Sequence, residues 1–213
     1  MDFMYPVLAT VAAYLIGSLS FAVIVSRAMG LNDPRTYGSK NPGATNVLRS
    51  GSKAAAIITL VLDALKGFVP VVAVKLWGPS LGLESGSLAL VALAAFLGHL
   101  YPVFFKFKGG KGVATALGVV LGIHWILGLA CMASFAIILY FFRYVSLASI
   151  AAAGFAPFYY LFGDREAWYT SKPVLLAIFV MAVMLAIRHR DNINRLLAGT
   201  ETKLGQKSDT LGV

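Results

Sequence analysis

Residues 112–142, GVATALGVVLGIHWILGLACMASFAIILYFF, hold no charged side chain across 31 positions. As helix, at about 1.5 Å per residue, the run is roughly 46 Å long, against a bilayer core of about 30 Å. It is long for one crossing and short for two, so its path depends on the charges around it. Further apolar spans are read at 3–26, 54–76, 86–105, 145–162 and 173–188. Basic residues follow the first span (Arg27, Arg35, Lys40, Arg49, Lys53) and the third (Lys106, Lys108, Lys111), and recur at the end (Arg188, Arg190, Arg195, Lys203, Lys207). Loops 77–85 and 163–172 are poor in Lys and Arg. The positive-inside rule puts the basic groups in the cytoplasm and the N-terminus outside. Residues 112–142 must then cross an even number of times, as two short helices turning near His124-Trp125, which brings Arg143 inside. The expectation is an all-α integral membrane protein of seven transmembrane helices, two of them short, with a cytoplasmic C-terminus. The alternative is a re-entrant segment with five full spans.

Composition agrees with a membrane protein. The chain is 59% hydrophobic and 13% charged, about half the charge of a soluble domain, and its mean hydropathy is +0.79. Met1-Asp2-Phe3 offers no basic leader, and Ser26-Arg27 after the apolar stretch offers no cleavage site, so the first helix reads as uncleaved. Residues 1–213 read as one domain without an inverted repeat. The net charge of +9 sits in short loops between apolar spans, which suits lipid headgroups or a phosphorylated substrate and argues against nucleic acid. A single cysteine, Cys131, excludes an internal disulfide. No His/Cys/Asp/Glu set has zinc-like spacing, and no metal or cofactor is expected.

The predicted topology puts three polar segments on one face. In Gly38-Ser39-Lys40-Asn41-Pro42-Gly43-Ala44-Thr45-Asn46-Val47-Leu48-Arg49, Asn-Pro-Gly is a turn signal with a helix starting behind it. A helix start offers free N–H groups to an anion, Ser39 and Thr45 add hydroxyls, and Arg49 adds a fork suited to phosphate. The alternative is an ordinary capped helix in a solvated basic loop. The second segment contains Gly109-Gly110-Lys111-Gly112, where backbone can approach a ligand closely. Phe105 and Gly112 occupy positions at which a Walker A loop needs Gly and Ser or Thr, so nucleotide hydrolysis is rejected. Lys106 and Lys108 read as membrane anchors, Lys111 as functional. The third segment is Arg188-His189-Arg190-Asp191-Asn192-Ile193-Asn194-Arg195, in which His189 and Asn192 share a helical face if the helix continues. Asp63 and Lys66 lie inside the second span and read as a structural charge pair. His99 is a supporting residue at most.

GSKNPGATNVLR, GHLYPVFFKFKGGKGVATALG and RHRDNINRLLAG together resemble the three cytoplasmic motifs of the acyl-phosphate:glycerol-3-phosphate acyltransferase family, PlsY type. The resemblance implies a seven-helix enzyme of the bacterial inner membrane with its site facing the cytoplasm. It implies transfer of a fatty acyl group from acyl phosphate to the 1-hydroxyl of glycerol 3-phosphate, giving lysophosphatidic acid and phosphate. By position, Ser39, Thr45, Arg49, His189 and Asn192 match residues that contact substrate, and Lys111 matches the glycine-loop lysine.

The assigned catalytic residues are Lys111, Ser39 and His189. Substrate binding falls to Gly43, Thr45, Asn46, Arg49, Gly109, Gly110, Gly112 and Asn192. Backbone N–H groups at Gly43–Thr45 and Gly109–Gly112 hold the acyl phosphate, while Arg49, Ser39, His189 and Asn192 orient glycerol 3-phosphate. The residues five after His99, His124 and His189 are Phe104, Leu129 and Asn194, so no His-x-x-x-x-Asp base is present. The expected mechanism is substrate-assisted, without a His–Asp general base, with His189 as the rival proton acceptor. The expected unit is a monomer among membrane lipids. An organic-phosphate transporter is the competing class, but the outer loops carry no second anion site.

Overall fold

The computed structural model describes residues 3–206; Met1, Asp2 and Lys207, named above, lie outside them. The described chain is all-α: α1 (Met4–Gly17), α2 (Phe21–Ala28), α3 (Ala44–Leu48), α4 (Lys53–Trp77), α5 (Ser85–Leu100), α6 (Val113–Ile123), α7 (Trp125–Phe142), α8 (Val145–Phe162), α9 (Lys172–Arg188) and α10 (Arg190–Leu197).

The seven crossings expected from the sequence are corrected to four, or at most six. Lys53–Trp77, Ser85–Phe105, Trp125–Phe142 and Val145–Phe162 are each long and apolar enough to cross. Two more crossings arise only if bent pairs count as single spans: α1 with α2, bent by 45°, and α9 with α10, bent by 59°. The failing element is α6. Its 11 residues reach about 16 Å, roughly half the bilayer core. The break at His124 does fall where expected, with φ −155° and ψ 127°, but the uncharged run divides unequally, into 11 and 18 residues.

Helix breaks inside a membrane need their freed carbonyls satisfied, and lysines do this twice. Lys66 Nζ donates to Leu19 O at the α1–α2 break, 2.7 Å away. Lys75 Nζ donates to Ile123 O at the end of α6, 2.6 Å away. The helices pack as α4 on α6, α1 on α5 and α7 on α8. In lipid such contacts depend on close van der Waals fit and small residues. Gly118 of α6 lies so near the Ala64 carbonyl of α4 that a Cβ there would collide with it. Phe96, Leu100, Leu127, Ile178 and Leu185 fill the core, while Ile57, Leu129, Phe141 and Leu176 face outward, as a lipid-facing surface requires.

Candidate active site

The first motif folds around Asn46. Its Nδ2 donates to Pro34 O (2.6 Å) and Tyr37 O (3.1 Å), and its Oδ1 accepts from Ser39 N (3.0 Å). Asn46 is buried, so this residue, expected at the substrate, has its side chain committed to the loop. Ser39, Thr45 and Arg49 are exposed beside it. Arg49 also borders an open cavity of about 390 Å³ with Asn32, Tyr37 and Ser50. The helix behind the Asn-Pro-Gly turn is α3, with Gly43 as its N-cap. Pro42 carries this motif to the second: its carbonyl oxygen lies 2.9 Å from where a Cβ of Gly110 would stand. Arg35, paired with Asp33 at 2.6 Å, adds a second link, with its guanidinium 5.8 Å from the Phe105 ring centre.

The glycine loop joins the end of α5 to the start of α6, and Arg188 at the end of α9 clasps it. Nη2 donates to Gly109 O at 2.9 Å and Gly110 O at 3.0 Å, and Nε donates to Gly110 O at 3.2 Å. The sequence reading counted Arg188 only among the basic residues that the positive-inside rule places in the cytoplasm. The N–H of Gly110 is occupied by His99 O at 3.2 Å, so it is not among the free donors expected there. Those of Lys111 and Gly112 make no hydrogen bond among the described residues, and they lead into the first turn of α6.

Lys111 Nζ donates to Asn192 Oδ1, joining the second motif to the third. Asn192 Nδ2 donates in turn to Glu201 Oε1 at 2.6 Å. That carboxylate also accepts from Ser146 Oγ (2.6 Å) and Arg195 Nε (2.7 Å). Neither Ser146 nor Glu201 was named from the sequence. Glu201 arrives on a returning C-terminal segment tied down by Leu204, whose N–H donates to Arg143 O at 2.7 Å. Burial disfavours the Glu201 carboxylate, but hydrogen bonds from Ser146, Asn192 and Arg195 outweigh it and hold its pKa below the ordinary glutamate value. Burial is also the main influence on Lys111 and pushes its ammonium down to about 8, against the attraction of Glu201. His189 is buried at the α9–α10 break. Its Nδ1 lies 2.8 Å from Leu185 O, a pure acceptor, so Nδ1 carries the ring proton and Nε2 is left with a lone pair.

The expectation that the site works without a His–Asp pair is overturned. His99 Nδ1 stands 3.7 Å from Asp63 Oδ1, and both side chains are buried. A His-x-x-x-x-Asp search cannot find this pair, because Asp63 belongs to α4 and His99 to α5. Lys66 Nζ lies 2.7 Å from the same Asp63 oxygen. Among the described residues, no three His, Cys, Asp or Glu side chains gather to hold a metal ion.

The family described as glycerol-3-phosphate acyltransferase matches residues 7–199. A glycerol-3-phosphate acyltransferase of Albidiferax ferrireducens is 65% identical over 210 residues, 99% of this chain and 94% of that one. One from Burkholderia pseudomallei strain K96243 is 61% identical over 205 residues, 95% of this chain and 97% of its own. The crystal structure of PlsY (YgiH), an integral membrane glycerol 3-phosphate acyltransferase in its glycerol 3-phosphate form, superposes with a TM-score of 0.86. It is 42% identical and covers 94% of this chain and 96% of its own. The lysophosphatidic acid form of that protein gives a TM-score of 0.84 at 40% identity, with the same coverage.

Proposed function

From the premise that this chain belongs to the acyl-phosphate-dependent glycerol-3-phosphate acyltransferase family, and is a multi-pass acyltransferase of the inner membrane, we propose how its residues divide the reaction. The substrates are acyl phosphate and glycerol 3-phosphate. The glycerol hydroxyl oxygen bonds to the acyl carbon, that carbon's bond to the phosphate oxygen breaks, the hydroxyl proton ends on the released phosphate, and lysophosphatidic acid and inorganic phosphate leave. Acyl phosphate is a mixed anhydride with a good leaving group, so catalysis can rest on placing the reactants and balancing charge on the phosphate.

The observation that carries this reading is the closure of the glycine loop by the third motif, through Arg188 to the Gly109 and Gly110 carbonyls and Lys111 to Asn192. With its carbonyls held by Arg188, the loop offers the donor's phosphate the N–H groups of Lys111 and Gly112, the start of α6 and the Lys111 ammonium. Asn192 serves the site by aiming Lys111. Thr45, Ser39 and Arg49, across the Pro42 contact, take the phosphate of glycerol 3-phosphate, with the His189 Nε2 lone pair toward its hydroxyls, while the Gly43 N–H is taken by Asn41 O at 3.0 Å. The acyl chain stays in lipid or between helices.

The active site faces the cytoplasm. Lys106, Lys108, Arg188, Arg190 and Arg195 flank the same motifs, which is the charge distribution cytoplasmic loops carry. Every group named comes from one chain, in keeping with a monomeric working unit, and no role is left for nucleic acid. The test is to supply purified protein with glycerol 3-phosphate and either palmitoyl phosphate or palmitoyl-CoA, and to measure lysophosphatidic acid and phosphate, with Lys111→Ala alongside. Equal amounts of both products from palmitoyl phosphate, lost in the variant, are expected. Product from palmitoyl-CoA alone would overturn the donor and the role of the loop.

A further inference from the structure

Beneath the glycine loop lies the buried polar cluster that holds the His–Asp pair: Asp63, Lys66, His99 and Thr115. Thr115 decides where the His99 proton sits. A threonine hydroxyl has one hydrogen to give, and it goes to the Asp63 main-chain carbonyl, 2.9 Å away, which only accepts. The 3.0 Å contact between Thr115 Oγ1 and His99 Nδ1 is therefore made by the ring N–H. Asp63 Oδ1, 3.7 Å from that nitrogen, stands behind it.

With Nδ1 turned to Thr115 and Asp63, the opposite nitrogen faces the loop. A Cβ added to Gly110 would collide with His99 Nε2, and the Gly110 N–H donates to His99 O at 3.2 Å. Gly110 thus rests on both the ring and the main chain of one residue. Below, Lys66 bridges Asp63 Oδ1 at 2.7 Å to Leu19 O at 2.7 Å, anchoring the cluster at the α1–α2 break.

We propose that Asp63 and His99 are a positioning pair for the glycine loop, with Thr115 fixing the ring and Lys66 fixing Asp63. The pair sets the height of Gly110, and through it the Lys111 ammonium and the free N–H groups of Lys111 and Gly112. The proposal rests on the reading that this loop holds the donor's phosphate. Asp63 and His99 act through the loop, so their loss shows in donor handling before it shows in the acceptor.

The test uses the full-length protein in detergent micelles, with His99→Asn as the main variant. Asn places an amide near Nδ1 but leaves nothing at Nε2, so the support under Gly110 is removed while the bond toward Thr115 can persist. Hydrogen–deuterium exchange over residues 106–112 is expected to quicken. The KM for palmitoyl phosphate should rise about tenfold or more, a fraction of the roughly hundredfold loss that an ångström of misplacement can bring, with the KM for glycerol 3-phosphate within about twofold. Gln, which reaches the Nε2 position, should restore part of both. If His99→Asn fails to fold, the near-isosteric Thr115→Val carries the same prediction at smaller amplitude. Unchanged exchange over 106–112 in a folded variant overturns the proposal. So does a collapse of kcat with both KM values intact, which would make His99 act on the reacting atoms. A wild-type protein that forms no lysophosphatidic acid would sink the acyl-transfer reading instead, while the exchange comparison still decides the pair.

Discussion

Arg188 Nη2 stands 2.9 Å from the Gly109 carbonyl oxygen and 3.0 Å from that of Gly110, holding two successive peptides of a loop 78 to 79 residues earlier in the chain. With Nε 3.2 Å from the Gly110 carbonyl as well, two nitrogens of the planar guanidinium form a fixed fork that the single rotating nitrogen of an ammonium cannot reproduce. Arg188→Lys should therefore lower kcat/KM by at least tenfold despite keeping the charge. Arg188→Ala should lower it by about 10²-fold, or about 2.7 kcal/mol of transition-state stabilisation. Phosphate release at saturating glycerol 3-phosphate measures both. A fully active Arg188→Lys would return Arg188 to the role of a membrane anchor.

Gly110→Ala tests the loop from its other side. The new Cβ would meet His99 Nε2 and lie 2.9 Å from Pro42 O, main-chain and ring atoms that cannot move aside cheaply. Overpacking of this kind costs about 1–3 kcal/mol of stability. The larger effect should be on activity, since the displaced loop carries Lys111: a loss on the order of 10²-fold in turnover is expected. A variant that melts a few degrees lower in micelles yet turns over normally would show that the Gly110 contact only packs the fold.

The sequence made some of this legible and hid the rest for physical reasons. Apolar runs and positive loops showed a membrane protein, and the break at His124 was readable because a charge-free run longer than one crossing must turn. Crossing number was not, since it depends on whether Ser18–Ser20 and His189 bend a span or end one, which local composition does not reveal. Lys111, Asn192 and His189 stood out as polar groups that topology did not require. Arg188 did not, because an arginine at a helix end is what positive-inside anchoring predicts. Glu201 and Ser146 carried no signal at all: Glu201 reaches the site only because the chain returns past Arg143. Asp63 and His99 were each noticed separately, but only the packing of α4, α5 and α6 makes them a pair.

Lys66 and Asp63 offer a stability test independent of substrate. Both side chains are buried, and their 2.7 Å ion pair also anchors the α1–α2 break. Removing one partner of such a pair leaves a buried charge uncompensated and costs about 3–5 kcal/mol. Lys66→Met should accordingly lower the melting temperature in micelles sharply. Lys66→Met combined with Asp63→Asn should recover part of that loss, because no lone charge remains. If the double variant is no more stable than the single one, the Leu19 carbonyl rather than Asp63 is the partner that matters.

Through Lys111, stability and activity should respond to pH in opposite senses. An ordinary lysine titrates at 10.5, and burial brings this one down to about 8. Between those values the unfolded chain holds a proton the folded one has lost, so this group makes folding more favourable as pH rises from 8 toward 10.5. Activity runs the other way, because the charged form that neutralises phosphate is present below about 8 and disappears above it. The profile of kcat/KM for palmitoyl phosphate, which reports the free enzyme, should be flat at neutral pH and fall through a single ionisation near 8. The profile of kcat should fall later, since bound phosphate favours the ammonium. Lys111→Arg, permanently charged, should lose activity overall through its different shape but keep what remains without the fall near pH 8. A falling limb unchanged in Lys111→Arg would assign that ionisation to another group, and Lys111 would lose its place as the charge that meets the phosphate.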